Sequence, residues 1–405
     1  MKTILVTAYD VNPYKGSESG TGWNFIVQIA RFNKVIAITR KNNRENIERY
    51  IKEFDIDVSN IEFYYYDFPY YLRFWKKGSR GSSLYFYLWQ MFMPVFIKKN
   101  KINFDIAHNL NFHTDSFPTF LWLFKQPLVW GPINHHEKIP YQYIHKVYSF
   151  KDYLKDRIKW SVKVILWTID PFLKISKSKS IFILCGNSSV QKRLSISPKK
   201  YISFSQIASD EIEKITRKVT DNFNILFVGR LVPLKGADIA IRAFAKSYLA
   251  HDNLTITMTI IGKGPEQERL ISLAKELKVE SAIEFINWID KDLLTDYYQQ
   301  ANLFFFPSHE GAGMVVAEAL SYGTPVLCFD NVGPGELVDD TCSIRVPYSN
   351  YNQSINDFSK ALKTLYTDKS LYKDKVGNAL KLFNKKYTWN SKGEFLRDLY
   401  LKIDT

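Results

Sequence analysis

The chain has 405 residues, of which 46% are hydrophobic, 16% aromatic and 24% charged. That composition excludes wholesale disorder, and the length exceeds one ordinary core, so two domains of roughly 200 residues each are expected. The net charge of +14 is uneven: residues 1–206 hold 31 Lys and Arg against 15 Asp and Glu, whereas residues 207–405 hold 24 against 26, so the first half is expected to face something anionic.

In chain order, Met1-Lys2-Thr3-Ile4-Leu5-Val6-Thr7-Ala8 carries too short an apolar run for a signal peptide and reads as a strand over 2–8. Tyr14-Lys15-Gly16-Ser17-Glu18-Ser19-Gly20-Thr21-Gly22-Trp23 follows as a glycine-rich turn entering a helix, suited to a phosphate or sugar near Gly16, with a plain strand-to-helix turn as the alternative. Further strands are expected at 34–39, 61–66, 104–108, 127–130 and 180–185. The apolar run Leu84 to Ile97 is shorter than the roughly 18 residues a membrane span requires. Asp105-Ile106-Ala107-His108 closes the fourth strand, which puts His108 at the ligand-binding edge, with His113 and the pair His135-His136 as rivals. A polar stretch over 216–222 places the domain boundary near 206–222. The second half repeats the alternation more regularly, with strands at 223–228, 254–261, 283–286, 303–306 and 325–328, and residues 352–403 read as two or three amphipathic helices broken near Tyr387-Thr388-Trp389. Cys185, Cys328 and Cys342 are odd in number and lack metal-ligand spacing, so neither a disulfide framework nor a metal site is expected, and reduced thiols in a cytoplasmic protein are.

The stretch Phe304-Phe305-Phe306-Pro307-Ser308-His309-Glu310-Gly311-Ala312-Gly313-Met314-Val315-Val316-Ala317-Glu318 carries the clearest chemistry. A buried strand runs into a glycine-containing turn, and a helix starts near Ala312 or Gly313, so backbone N–H groups of Gly311 to Met314 become available to an anion. Glu310 lies on the loop and Glu318 about two turns into the helix, both positioned for a cleft at the strand ends. Carboxylates beside a diphosphate suit sugar hydroxyls; the alternative is one capping and one solvated glutamate. Upstream, a strand ends at Gly229, and Arg230 and Lys235 follow on the loop in Gly229-Arg230-Leu231-Val232-Pro233-Leu234-Lys235-Gly236. The order is not that of a P-loop, yet the two cations suit a diphosphate. Gly262-Lys263-Gly264-Pro265-Glu266 marks a second strand-to-turn junction.

Together these motifs, with Ala319-Leu320-Ser321-Tyr322-Gly323-Thr324-Pro325-Val326, resemble the group 1 retaining glycosyltransferases. The resemblance implies an α/β fold of two facing Rossmann-like domains (GT-B) with a cleft between them and C-terminal helices. Residues 1–206 would be the acceptor-binding domain, 207–385 the nucleotide-sugar domain, and 386–405 a helix returning to the first. It also implies that Arg230 and Lys235 bind the donor diphosphate, that Glu310 contacts the donor sugar, that Glu318 holds the nucleotide ribose, and that a histidine such as His108 lies near the sugar. Gly16, Gly229, Gly262, Gly311, Ala312, Gly313 and Met314 complete the expected donor site. Ala312 replaces a frequent aromatic residue, and Asn134 and His135 stand where similar sequences often carry two glycines. The implied reaction is retaining sugar transfer from a nucleotide-sugar, UDP-sugar favoured, to a glycan or lipid-linked acceptor in polysaccharide, lipopolysaccharide or glycolipid assembly, with no metal and no cofactor. A sugar-nucleotide epimerase or hydrolase is the alternative.

Residues 63–101 and 146–179 interleave aromatic and basic side chains, suited to an anionic membrane surface with rings at headgroup depth. That makes the protein peripheral on the inner face of the membrane; the alternative is a packed aromatic core with solvated lysines. No nucleic-acid motif is present, so nucleic acid is not an expected partner.

Overall fold

The computed structural model describes the chain apart from residues 79, 112, 145–146, 148–149, 213–221, 250–255 and 404–405. Two compact units emerge, one of residues 1–135, 161–206 and 389–405, the other of residues 136–160 and 207–388. The polar stretch expected to link two domains falls almost wholly outside the described residues, as does the start of the strand expected at 254–261.

The first unit is built on seven strands: β1 Thr3–Ala8, β2 Lys34–Thr39, β3 Ile61–Tyr65, β4 Ile106–Asn111, β5 Leu128–Ile133, β6 Phe182–Cys185 and β7 Tyr201–Ser203. They pair in parallel in the order β3-β2-β1-β4-β5-β6-β7. Ile4, Leu5 and Val6 of β1 are fully buried, as strands covered by helices on both faces must be. Helix Ser17–Ala30 packs against the C-terminal helix Trp389–Leu401, with Phe25 edge-on to Trp389 at 5.4 Å.

Two sequence expectations need correction here. The fourth strand runs from Ile106 to Asn111, not 104–108, because its polar residues are satisfied sideways: Asn109 Nδ2 donates to Thr7 Oγ1 at 3.0 Å, and Asn111 Nδ2 to the Asp10 carbonyl at 3.0 Å. His108 therefore lies inside the sheet rather than at its edge. Much of the aromatic segment 63–101 is core, since Tyr85, Phe86 and Trp89 of helix Ser82–Lys99 are buried and Tyr64, Tyr66, Phe68 and Trp75 pack against their cluster. Tyr70, Tyr71, Leu72 and Phe74 remain exposed.

The second unit holds six strands: β8 Phe223–Val228, β9 Ile256–Ile261, β10 Ile283–Ile286, β11 Leu303–Phe306, β12 Val326–Phe329 and β13 Ser343–Val346. They are parallel, in the order β10-β9-β8-β11-β12-β13. Helices Tyr351–Thr367 and Lys369–Lys386 close the unit. Residues 136–160 pack with this unit, which one boundary near 206 does not anticipate. Tyr143 explains it: the ring is buried against His309, Phe329 and Tyr348, and its hydroxyl bonds Ser354 Oγ at 2.6 Å.

In both sheets the strand order reverses, between β1 and β4 and between β8 and β11. Ligands of open α/β sheets bind beyond the carboxyl ends of strands at such reversals. Among the described residues no helix is long and apolar enough to cross a membrane.

Candidate active site

The loops after β8 and β11, on either side of the second reversal, carry most of the predicted donor-site residues; Gly262 follows β9, and Gly16 lies in the first unit. Lys235 Nζ donates to Glu310 Oε2 at 2.5 Å, an ion pair with both side chains largely buried. The Lys235 ammonium also lies 5.0 Å from the centroid of the Phe306 ring, which holds it over the end of β11. Burial pushes the Glu310 carboxyl above its usual range, against the opposing pull of Lys235 and Arg230. Its other oxygen, Oε1, is buried and has no hydrogen-bond partner among the described residues. An unmet carboxylate lone pair in such a place is costly, and a ligand hydroxyl would satisfy it. Arg230 is exposed on the same loop system, a cation open to solvent beside a buried one.

The two strand-to-turn junctions expected from the sequence meet. Gly262, at φ +156°, lies so close to the Gly229 carbonyl that a Cβ would fall 1.9 Å from that oxygen. Gly229 N donates to the Ile261 carbonyl at 3.0 Å and Leu231 N to the Lys263 carbonyl at 3.1 Å, which fixes the cation loop against its neighbour. The Glu310 loop is clamped from the other side. Asn331 Nδ2 donates to the Ser308 carbonyl at 2.8 Å, and Gly333 approaches so closely that a Cβ there would be 1.7 Å from the Glu310 carbonyl oxygen.

Helix Met314–Ser321 starts at Gly313 with no side-chain cap, so Gly311, Ala312, Gly313 and Met314 form an uncapped helix entry. His136 Nδ1 accepts from Gly311 N at 3.3 Å, which brings one of the rival histidines to this loop. Glu318 Oε2 accepts from the Tyr298 hydroxyl at 2.9 Å, and the Tyr298 ring stacks on Tyr322. Tyr298, Asn331 and His136 were not assigned to the site from sequence. The first two act across 20 and 23 residues, and no local pattern announces them.

In the first unit, His108 does not reach a site. Its ring is fully buried; Nε2–H donates to the Gly131 carbonyl at 2.6 Å, so Nδ1 is the bare nitrogen that accepts from the Tyr400 hydroxyl at 2.6 Å. His113 lies beyond the end of β4 and is differently placed. Its Nδ1–H donates to the Pro132 carbonyl at 2.9 Å, so Nε2 is an acceptor, and it is buried with no partner among the described residues. Its backbone N–H donates to Glu18 Oε1 at 2.7 Å. Burial lowers both histidines to about 4 and raises Glu18 to about 7. Gly16 opens helix Ser17–Ala30 in the open, with nothing within 4 Å of the place a Cβ would take. The three cysteines are free and buried, and among the described residues no group of His, Cys, Asp and Glu is arranged to hold a metal ion.

Residues 208–381 match the family described as glycosyl transferases group 1. The D-inositol 3-phosphate glycosyltransferase of Acidothermus cellulolyticus is 40% identical over 115 residues, 26% of this chain and 26% of that protein. Matches to curated relatives span from 26% to 43% of those proteins' lengths. Two solved structures are similar along 99% of each chain with a TM-score of 0.59: Anabaena HepE in complex with UDP and glucose, at 15% identity, and the lipopolysaccharide outer core galactosyltransferase WaaB, at 13%. With two parallel α/β units and a match centred on the loops just described, residues 208–381 are similar to the group 1 glycosyltransferases, and the chain has the GT-B fold of the solved structures it resembles.

Proposed function

We propose that this protein is a retaining glycosyltransferase that moves a sugar from a nucleotide-sugar, UDP-linked by preference, to a hydroxyl of a glycan or lipid-linked sugar. The observation that carries the reading is the Lys235–Glu310 pair at the β8/β11 reversal, with Glu310 Oε1 left for a ligand hydroxyl. The diphosphate lies on Arg230 and Lys235 and on the uncapped helix entry at Gly313, where charge growing on the leaving group is stabilised. Glu310 takes a hydroxyl of the donor sugar, and Glu318, held by Tyr298, takes the ribose. The bond from the sugar C1 to the diphosphate oxygen breaks, a bond from C1 to the acceptor oxygen forms on the same face, and the acceptor proton passes to the departing phosphate. Fixed cations serve where other transferases use a metal. His113, with its bare Nε2, replaces His108 as the first-unit histidine suited to a substrate hydroxyl.

A UDP donor is supported by a similar fold solved with UDP and glucose, and a cell-surface glycan product by a similar fold named for lipopolysaccharide. The basic first half supports work at the cytoplasmic face of a membrane. The test is nucleotide release from UDP- and GDP-sugars with candidate glycan acceptors, comparing wild type with Glu310→Gln and Lys235→Ala. The reading expects acceptor-dependent release, lowered about 10²–10³-fold in Lys235→Ala. Equal release in all three proteins would overturn the site, and a converted sugar nucleotide without any acceptor would make the protein an epimerase or hydrolase.

A further inference from the structure

The ligand-binding edge of the first unit carries a cluster of cations for which the donor chemistry has no use. Arg40 follows β2 directly, Asp67 lies two residues beyond β3, and Tyr9 and Asp10 follow β1. All four stand at the carboxyl ends of neighbouring strands, beside the β1/β4 reversal. Asp67 is buried and its needs are met within the cluster. Its Oδ1 accepts from Arg40 Nε at 3.1 Å and from the Tyr85 hydroxyl at 2.6 Å, and its Oδ2 accepts from the Lys41 backbone N–H at 3.0 Å. The Arg40 guanidinium lies 4.8 Å from the Tyr9 ring centroid and 5.4 Å from that of Tyr85, so two rings and a carboxylate hold it in place.

Beyond this satisfied pair the fold adds further cations. Residues 70–81 contain Arg73, Lys76, Lys77 and Arg80 and no Asp or Glu. Arg73 and Lys76 are half-buried, and the Lys76 ammonium lies 5.7 Å from the centroid of the same Tyr85 ring that Arg40 meets. Among the described residues neither forms an ion pair. Arg73 Nε donates to the Phe68 carbonyl at 3.0 Å, and Lys76 Nζ reaches the Gly78 carbonyl only at 3.5 Å. Burial first, and then the Arg40 guanidinium, hold the Lys76 ammonium below its usual range; Arg73 adds to this, while Asp67 and Asp10 oppose it. Cations gathered in a partly desolvated place repel one another, and an anion relieves that repulsion. A phosphoryl group suits them, since Arg40 offers a fork and Lys76 a point charge.

We propose that Arg40 and Lys76, with Arg73 beside them, form an anion site on the first unit, and that the acceptor carries a phosphoryl group there while its reacting hydroxyl lies toward His113. The ends of β2 and β4 flank β1 and are two strand spacings apart, roughly 10 Å, a span that one sugar ring and its phosphoryl group cover. The inference deepens the reading above and rests on it for calling the ligand an acceptor; anion binding and nucleotide binding are therefore read separately.

The experiment is calorimetric titration of the full chain with inorganic phosphate, glucose 6-phosphate and glucose at low salt. It compares wild type with Lys76→Gln, Lys76→Arg and the double variant Arg230→Ala with Lys235→Ala. Wild type should bind both anions and not glucose. Lys76→Gln should weaken glucose 6-phosphate about tenfold or more, Lys76→Arg should restore it, and the double variant should leave it unchanged. UDP titration should show the reverse, unaltered by Lys76→Gln and weakened in the double variant. Circular dichroism of Lys76→Gln should match wild type, because a half-exposed lysine without an ion pair leaves no carboxylate stranded. No binding of either anion to wild type, glucose bound as tightly as its phosphate, or anion binding that Lys76→Gln leaves unchanged overturns the proposal. Anion binding that depends on Lys76, in a chain that binds no UDP, would leave the proposed site standing and overturn the donor reading instead.

Discussion

Glu310 sits where burial favours its neutral form and beside a lysine that favours its charged one. Its position was legible because a glutamate on a glycine turn, eight residues before another on the following helix, is a local pattern. The partner that orients the second glutamate was not, because Tyr298 reaches Glu318 only through the fold. Tyr298→Phe should weaken nucleotide binding about tenfold or more in a calorimetric titration, the worth of one hydrogen bond to a charged group. The histidines show where local reading fails. A strand judged to end at His108 in fact continues to Asn111, which buries His108 and moves the end-of-strand position to His113. Glu18 carries a pH prediction. Folded Glu18 holds its proton to about pH 7, against 4.5 ordinarily, so the stabilisation is complete below 4.5 and is lost as pH rises through 7. That amounts to on the order of 3 kcal/mol. His108 and His113 act in the opposite sense, costing stability as pH falls from 6.5 towards 4. Thermal melts of wild type and Glu18→Gln from pH 4.5 to 8 should diverge, with wild type gaining less stability from its histidines than the variant does as pH rises, because it also loses the Glu18 contribution; parallel melts would remove Glu18 from the account.

At the scale of elements, the apolar runs of β1, β8 and β11 are legible because parallel strands buried on both faces leave no polar alternation to confuse them. The short strands β7 and β13 escape because three or four residues of mixed polarity at a sheet edge carry no period. The aromatic segment 63–101 is ambiguous in sequence, since a packed cluster and an interfacial one share a composition; only burial separates Trp89 from Tyr70. Contacts between turns are equally invisible. Gly262 is needed because the Gly229 carbonyl occupies the space of its missing Cβ. Gly262→Ala should push the two turns apart, cost on the order of 2–4 kcal/mol and reduce nucleotide binding; an unchanged melt and unchanged affinity would show the turns to be independent.

At the scale of the molecule, the charge division is plain in the sequence: the excess of Lys and Arg lies before residue 207, and the carboxylates of the candidate donor site, Glu310 and Glu318, lie after it. The α/β class and the two parallel sheets follow from the alternation of apolar runs and helical stretches. The return of residues 389–405 to the first unit, and of residues 136–160 to the second, depends on packing partners far along the chain, such as Phe25 for Trp389 and Phe329 for Tyr143. The central claim is that the second unit binds the nucleotide of a sugar donor. Calorimetric titration of the full chain with UDP, GDP, ADP and CMP, alongside Glu318→Ala, tests it most directly. The account predicts saturable binding of one nucleotide, UDP, weakened in the variant; no binding of any nucleotide, or binding the variant leaves unchanged, would contradict it.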